Sequence, residues 1–257
     1  MFGNFIQLDY GDEKVTSTVK KHPLGTVGVT PDGNAYRYAL CGASDIAAGR
    51  LVAAAAALTV IDMDITLSVA AAVGDETIYP DSSSATLDFV KDYFEDGYVF
   101  INAGAVQGFK YKIKSHPAVD ASADPTFNLK LYPNDKVRVA IATTNELGLT
   151  QSPYKSVIIS PTTPDAIALG WTTTNVTAAY YCWLQVSGIV DALIEGTVVK
   201  GESVRRSTTT AGAVTPNAAT QGTISGASLA LTGQVGYVYS SVVSVTTDSG
   251  LIYATIG

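Results

Sequence analysis

The chain has 257 residues, of which 47% are hydrophobic and only 15% are charged, so it has ample material for a buried core. Its formal net charge is −7 and its pI is about 4.7. An acidic chain is a poor match for a phosphate backbone, so we expect no nucleic-acid partner. The most apolar run, residues 51–60, is too short to cross a bilayer, so we expect no membrane partner. A mean hydropathy of +0.21 suggests that some apolar surface meets other subunits.

Residues 1–24 mix apolar and charged side chains without a clear period. We interpret them as an N-terminal arm that becomes ordered against a neighbouring subunit. The order of charged and apolar residues differs from that of a signal peptide, so we expect the protein to be made in the cytoplasm.

Residues 25–60 predict strand, turn and strand. The turn is Pro31-Asp32-Gly33-Asn34, and the strand after it places Tyr36 and Tyr38 on one face. The alanines at 53–57 have high helix propensity, but they lack a capping residue and precede β-branched residues, so a helix is not favoured there. Residues 62–69 alternate, with Met63, Ile65, Leu67 and Val69 predicted to face inward. Asp62 and Asp64 would face outward; with no further oxygen ligands in view, a solvated face is favoured over a calcium site.

Residues 80–97 are the best candidate for a helix. Residues 81–84 offer N-caps, and Leu87, Val90 and Phe94 follow helical spacing. A single short helix fits this pattern, and another strand is the alternative.

Residues 96–114 predict a β-hairpin. Asp96-Gly97 is a turn signal, and Gly104 and Gly108 bracket the connection. In the second strand three apolar side chains alternate with three lysines, so the lysines should line one wet face. The two sets are Phe109, Tyr111 and Ile113, and Lys110, Lys112 and Lys114.

Short strands punctuated by turn residues continue to the end of the chain, while Pro161-Thr162-Thr163-Pro164 resembles a linker. The fold class we expect is mainly β, with short-stranded β-barrel or β-sandwich modules and at most one or two short helices. The predicted divisions are an arm at 1–24, a β-rich domain at 25–160, a linker at 161–164 and a small C-terminal β domain at 165–257.

Residues suited to catalysis are scarce. Both histidines, His22 and His116, precede proline, which suits an extended loop without any catalytic role. Cys41 and Cys182 stand far apart in sequence and are expected to be buried free thiols. Asp92 could pair with Glu95 or Asp96 in acid–base work, but a solvated helix end explains these residues more simply. We therefore predict no catalytic, cofactor-binding or metal-binding residues, no cofactor and no enzyme activity.

Several loose glycine and aromatic spacings together resemble the head structural proteins of tailed bacteriophages, and most closely the capsid decoration (cement) proteins of marine phages. They include the Pro-Asp-Gly turn followed by Tyr-Arg-Tyr and the Tyr-Cys-Trp-Leu-Gln-Val-Ser-Gly run. The segments are residues 25–38, 48–52, 96–98, 108–113, 181–188, 201–204 and 212–214. The resemblance implies a β-rich virion protein on the capsid exterior that bridges major capsid proteins, often as a homotrimer at threefold positions.

A tail- or baseplate-associated protein, or a host-glycan-binding β protein, is the alternative. In the latter, Tyr36, Tyr38, Tyr98 and Tyr111 would stack on sugars, although alternating tyrosines more often pack in a core. A polysaccharide depolymerase comes third, because it would need a cleft with paired carboxylates.

Overall fold

We describe the protein from a computed structural model. It describes residues 5–55, 61–82, 88–120, 122–163, 165–217, 233–240, 242–243 and 249–256, without the side chains of 61–63 and 242–243. The mainly β prediction is confirmed, and in these ranges the helical structure is confined to a short 3-10 turn at Asp12–Lys14.

The strands are mostly three to six residues long. In chain order they are β1 (Ile6–Gln7), β2 (Val27–Val29), β3 (Ala35–Leu40), β4 (Leu51–Ala53), β5 (Ile61–Ile65), β6 (Leu67–Val69), β7 (Thr77–Pro80), β8 (Tyr98–Ala103), β9 (Lys110–Ser115), β10 (Leu129–Leu131), β11 (Glu146–Thr150), β12 (Ile158–Ile159), β13 (Ala168–Thr172), β14 (Tyr181–Leu193), β15 (Thr197–Val198), β16 (Ser203–Arg206), β17 (Val214–Pro216), β18 (Gln234–Val238), β19 (Val242–Val243) and β20 (Ser249–Thr255).

The chain forms two compact units, one of residues 1–56 and 153–257 and one of residues 57–152. The first unit is built on a sheet with the order β1-β2-β3-β14-β20-β18-β16-β17, and β4, β12 and β13 pair beside it. The 13-residue β14 is its longest strand; its first half pairs with β3 and its second half with β20. The alternating buried and outward residues of β20 place Ile252 and Ala254 in the core beneath this sheet.

The predicted domain boundary at 161–164 does not separate the compact units. β13 and β14, which follow it, pair with β4 and β3, which precede it. Residues 161–163 therefore lie inside the first unit, since its sheet joins strands that are distant in sequence.

Residues 5–24 pack on their own chain, whereas we expected an arm ordered by a neighbour. β1 runs parallel to β2, and Leu8 and Leu24 are buried against Tyr38 and Trp183. This segment covers part of the face of β3 and β14.

The second unit is a sheet with the order β5-β11-β8-β9-β10-β7-β6. The predicted hairpin is present as β8 and β9, with Tyr98 opposite Lys112 and Phe100 opposite Lys110. Tyr111 and Ile113 are buried as expected, but Phe109 lies before β9 and is 37% exposed.

The predicted helix at 80–97 is wrong for the described residues. Residues 90–97 form successive turns, interrupted where Asp92 and Asp96 adopt positive φ. Phe89 pairs with Val119, so contacts distant in sequence replace helical ones. Residues 83–87 lie outside the described part.

The run 62–69 is two strands, β5 and β6, where we predicted one. Ile65 and Leu67 are buried as predicted, while Val69 is 56% exposed. Asp64 has a φ of 112° and lies where the register of β5 with β11 shifts between Met63 and Ile65. The side chain of Met63 is outside the described set.

Candidate functional site

The histidines are structural. His116 is buried among Phe89, Phe94 and Phe127. Its Nδ1 lies 2.7 Å from the Pro117 carbonyl oxygen, so Nδ1 carries the proton, and its Nε2 accepts the Phe94 N–H at 2.9 Å. Both ring nitrogens are therefore used to hold the turns at residues 90–97 next to the end of β9.

His22 belongs to the first unit, where its ring packs against Tyr38 and Trp183. Burial lowers the pKa of His22, and the charge of Lys21 lowers it further. This histidine therefore serves as a packing group that holds the N-terminal segment against β3 and β14.

The cysteines are buried free thiols, as predicted. Burial raises the pKa of Cys182 to about 12 and also raises that of Cys41. Because the thiolate is the reactive form, neither is suited to act as a nucleophile at neutral pH.

The acidic residues near the predicted helix also hold the fold. Asp92 accepts the backbone N–H of His116 at 3.0 Å, and the buried Asp96 accepts the hydroxyl of Tyr132 at 2.5 Å. Asp64 accepts a hydrogen bond from Asn102. Across the described residues, no group of three or more His, Cys, Asp or Glu side chains is placed to hold a metal ion.

The tyrosines singled out for stacking are mostly core residues. Tyr36, Tyr38 and Tyr111 are each no more than 4% exposed, and the half-buried Tyr98 has the Lys110 ammonium 5.3 Å from its ring centroid. These side chains do not form an exposed aromatic patch.

A different set of aromatic residues faces solvent on the first unit. Tyr253 lies opposite Tyr237 on one side and Ile189 on the other, so the three side chains form a row across β18, β20 and β14. They are 47%, 44% and 39% exposed. Tyr239 and Leu251 extend this surface, which we call the tyrosine row. Strict alternation in β20 could have revealed Tyr253 from sequence, but its register with Tyr237 could not be read there.

The second unit presents a lysine face. Lys110, Lys112 and Lys114 alternate along β9 with buried residues, and Lys130 of β10 is also exposed. In the pairing of β9 with β10, Ile113 lies opposite Leu131 and Ser115 lies opposite Lys130. Lys114 is therefore an extra residue in β9, and this bulge places it beside Lys130.

Aromatic rings lie between these lysines. The Lys112 ammonium is 5.6 Å from the ring centroid of Tyr132, an arrangement that orients the cation. The ring of Phe100 lies against Gly148, where an added Cβ would come within 2.3 Å of it. Glycine at 148 therefore lets this ring lie low on the sheet.

No helix in the described ranges is long and apolar enough to span a bilayer. Comparison of the chain with protein-family models, with curated proteins and with solved structures finds no match.

Proposed function

We propose that this chain is a virion structural protein that binds the outer surface of a capsid lattice and stabilises it by bridging major capsid proteins, without catalysing a reaction. The observation that supports the proposal is the lysine face of the second unit. The resemblance to capsid decoration proteins supplies the biological setting.

A row of lysines along a sheet face suits a macromolecular partner, because a charged patch of this length can match a complementary patch on another protein. Lys110, Lys112 and Lys114 repeat about every 7 Å along β9, since a strand rises about 3.4 Å per residue. Acidic residues outnumber basic ones in residues 57–152, so the lysine face differs in charge from the rest of its unit. An acidic patch on the shell would neutralise this repeat and fix the register of docking.

Many copies on a repeating lattice bind with avidity, so each contact can be weak. The proposal includes self-association, with a homotrimer at threefold positions as its specific form. Light scattering on the purified chain measures this directly, and a monomeric mass at high concentration would remove the trimer from the proposal.

An image reconstruction of the particle that contains this chain is the decisive experiment. Density over the capsid lattice is the expected result, and density confined to the tail would favour the tail or baseplate alternative. Particles that lack the protein should also lose resistance to heat and chelators; equal resistance would contradict a stabilising role.

Binding to shells that lack the protein tests the lysine face itself. A variant with Lys110, Lys112 and Lys114 all changed to Gln should bind more weakly and show a smaller salt dependence. Lys136→Gln is the matched control, because Lys136 pairs with Glu76 at 2.7 Å in the same unit. Equal loss in both variants, or no loss in the triple variant, would contradict docking through this face.

A further inference from the structure

The first unit contains a cavity of about 310 Å³, bounded by the N-terminal segment and by β14. Its lining comes from stretches that are distant in sequence, principally residues 10–14, 30–36, 172–173 and 185–191. The volume lies in the range of pockets that bind small molecules. The cavity is in a different unit from the lysine face, so a ligand could bind in it whether or not the chain binds a shell.

One wall of the cavity is a polar network held in place by the β2–β3 turn. Asp32 accepts a hydrogen bond from the Thr30 hydroxyl at 2.5 Å and another from the Asn34 amide at 2.7 Å. Asn34 lies against Gly188, where an added Cβ would come within 1.8 Å of the Asn34 Oδ1. Glycine at 188, with φ of +93°, therefore makes room for this amide.

Gln185 contributes a hydrogen-bond acceptor to the cavity. Its side chain lines the cavity although the residue is only 3% exposed. Its Nε2 donates to the carbonyl oxygens of Ser187 and Ile189, at 3.3 and 2.8 Å. Because carbonyl oxygens only accept hydrogen bonds, the Gln185 amide nitrogen must face those of Ser187 and Ile189. This determines the orientation of the carboxamide.

The Gln185 Oε1 consequently points away from those carbonyls. A carboxamide oxygen accepts hydrogen bonds, so a ligand hydroxyl in the cavity can donate to it.

The charges of the lining define the class of ligand. Glu13, Asp32 and Asp191 supply carboxylates, against the single ammonium of Lys14. An anionic ligand would meet net repulsion here, and no described residues form a metal cluster. Burial raises the pKa of Tyr36 to about 12, so this lining residue stays a neutral phenol. The cavity therefore disfavours anions and offers several acceptors to a ligand that carries hydroxyl donors.

The tyrosine row begins at the cavity. Ile189 lines the cavity and lies directly opposite Tyr253, whose other neighbour is Tyr237. Adjacent strands are about 4.8 Å apart, so the row extends about 10 Å from β14 to β18. Sugars have hydroxyl edges and apolar C–H faces, and tyrosine rings provide flat surfaces with a polar tip.

We propose that the cavity and the tyrosine row form one binding site for a neutral saccharide chain. One sugar unit occupies the cavity and donates hydroxyls to Gln185 and Asp191, and the following units lie on Tyr253 and Tyr237. The exposed Tyr10, at 69%, also lines the cavity.

The test starts with a microarray of neutral and anionic glycans probed with the whole chain, followed by calorimetric titration of the strongest neutral binder. Tyr253→Ser should weaken binding about three- to tenfold, the loss expected for one stacked aromatic contact. Asp191→Asn should weaken it to a similar extent. Tyr79→Ser is the control and should bind as the wild type does, because Tyr79 is equally exposed, at 43%, but belongs to the second unit.

Three results would overturn the proposal: no neutral glycan bound at millimolar concentration, a preference for anionic glycans, or equal affinity in Tyr253→Ser and the wild type. A fall in oligomeric mass in Tyr253→Ser, without a change in saccharide affinity, would assign the tyrosine row to a subunit interface instead. Thermal unfolding of each variant shows that it is folded, which these exposed positions should allow.

Discussion

The hydrogen bond between Tyr132 and Asp96 gives the sharpest test of what holds the second unit together. Asp96 is 1% exposed, and the Tyr132 hydroxyl donates to its carboxylate at 2.5 Å. Tyr132→Phe keeps the ring, and hence its contact with the Lys112 ammonium, but removes the donor. The variant therefore isolates one hydrogen bond to a buried carboxylate.

Hydrogen bonds to charged groups contribute about 1.5 to 3 kcal/mol, so we expect Tyr132→Phe to lower the free energy of unfolding of the second unit by about 2 kcal/mol. For a unit of this size that corresponds to a fall in Tm of roughly 8 to 16 °C. Chemical denaturation followed by tyrosine fluorescence measures it. Tyr79→Phe is the control, because Tyr79 is exposed on β7.

The pH dependence provides an independent signature. Burial raises the pKa of Tyr132, and the hydrogen bond to Asp96 raises it further. The Tyr132 hydroxyl has a higher pKa in the folded chain than the value of about 10 in the unfolded chain. Its contribution to stability is therefore fully present below about pH 10 and is lost as the pH rises from there through the folded-state pKa. Tyr132→Phe should lose less stability than the wild type above pH 10. Stability within about 0.5 kcal/mol of the wild type at neutral pH would refute the reasoning.

Three further substitutions test other parts of the fold. Leu8→Ala should lower the free energy of unfolding by about 2 to 4 kcal/mol in urea titrations, because Leu8 is 4% exposed; a negligible change would mean that the N-terminal segment does not pack as described. Gly188→Ala should cost more than about 1 kcal/mol and displace Asn34, visible in its NMR amide signals; an unshifted signal would contradict the contact. Hydrogen bonds from Ser207 and other hydroxyls lower the pKa of Glu195, so its contribution is present above an unfolded value of about 4.3 and is lost as the pH falls through the lowered pKa. In Glu195→Gln the free energy of unfolding should decrease less steeply as the pH falls below that value. The same decrease in the variant and the wild type would contradict this contribution of Glu195.

The parts of the fold that could be predicted are those set by neighbouring residues. Alternation of Lys110, Tyr111, Lys112 and Ile113 fixed the two faces of β9, because side chains on a strand alternate whatever the partner. Phe109 broke the pattern since the loop continues to the start of β9, and end residues depend on turn geometry.

Pairing between distant strands could not be predicted from local patterns. The spacing of Val90 and Phe94 fits a helix, but Phe89 pairs with Val119 and Asp92 adopts positive φ, so tertiary contacts override the local preference. The proline-rich loop at 161–164 has the composition of a linker, yet the strands on either side of it share a sheet.

One candidate site could be predicted from local sequence and the other could not. The lysine face follows from alternation within one strand, so the sequence already contained it. The cavity draws on residues 10–14, 30–36 and 185–191, which no spacing rule connects. Alternation assigns Tyr36 and Tyr253 each to one face of its strand, but what packs on that face decides that the first is buried and the second is exposed.

The second unit is inserted into the first at one place in the chain, which suggests that each unit folds and binds its partner independently. The chain leaves the first unit after β4 and returns before β12, and Ala53 of β4 lies directly opposite Ile158 of β12. Paired residues in an antiparallel ladder have Cα atoms about 5 Å apart, so a short loop could join these strands in place of residues 57–152. We expect the chain with this replacement to fold cooperatively with a β-type circular dichroism spectrum, to retain any saccharide binding and to lose binding to the shell. An unfolded product would mean that the first unit needs the second for stability, and retained shell binding would move the docking surface out of the lysine face.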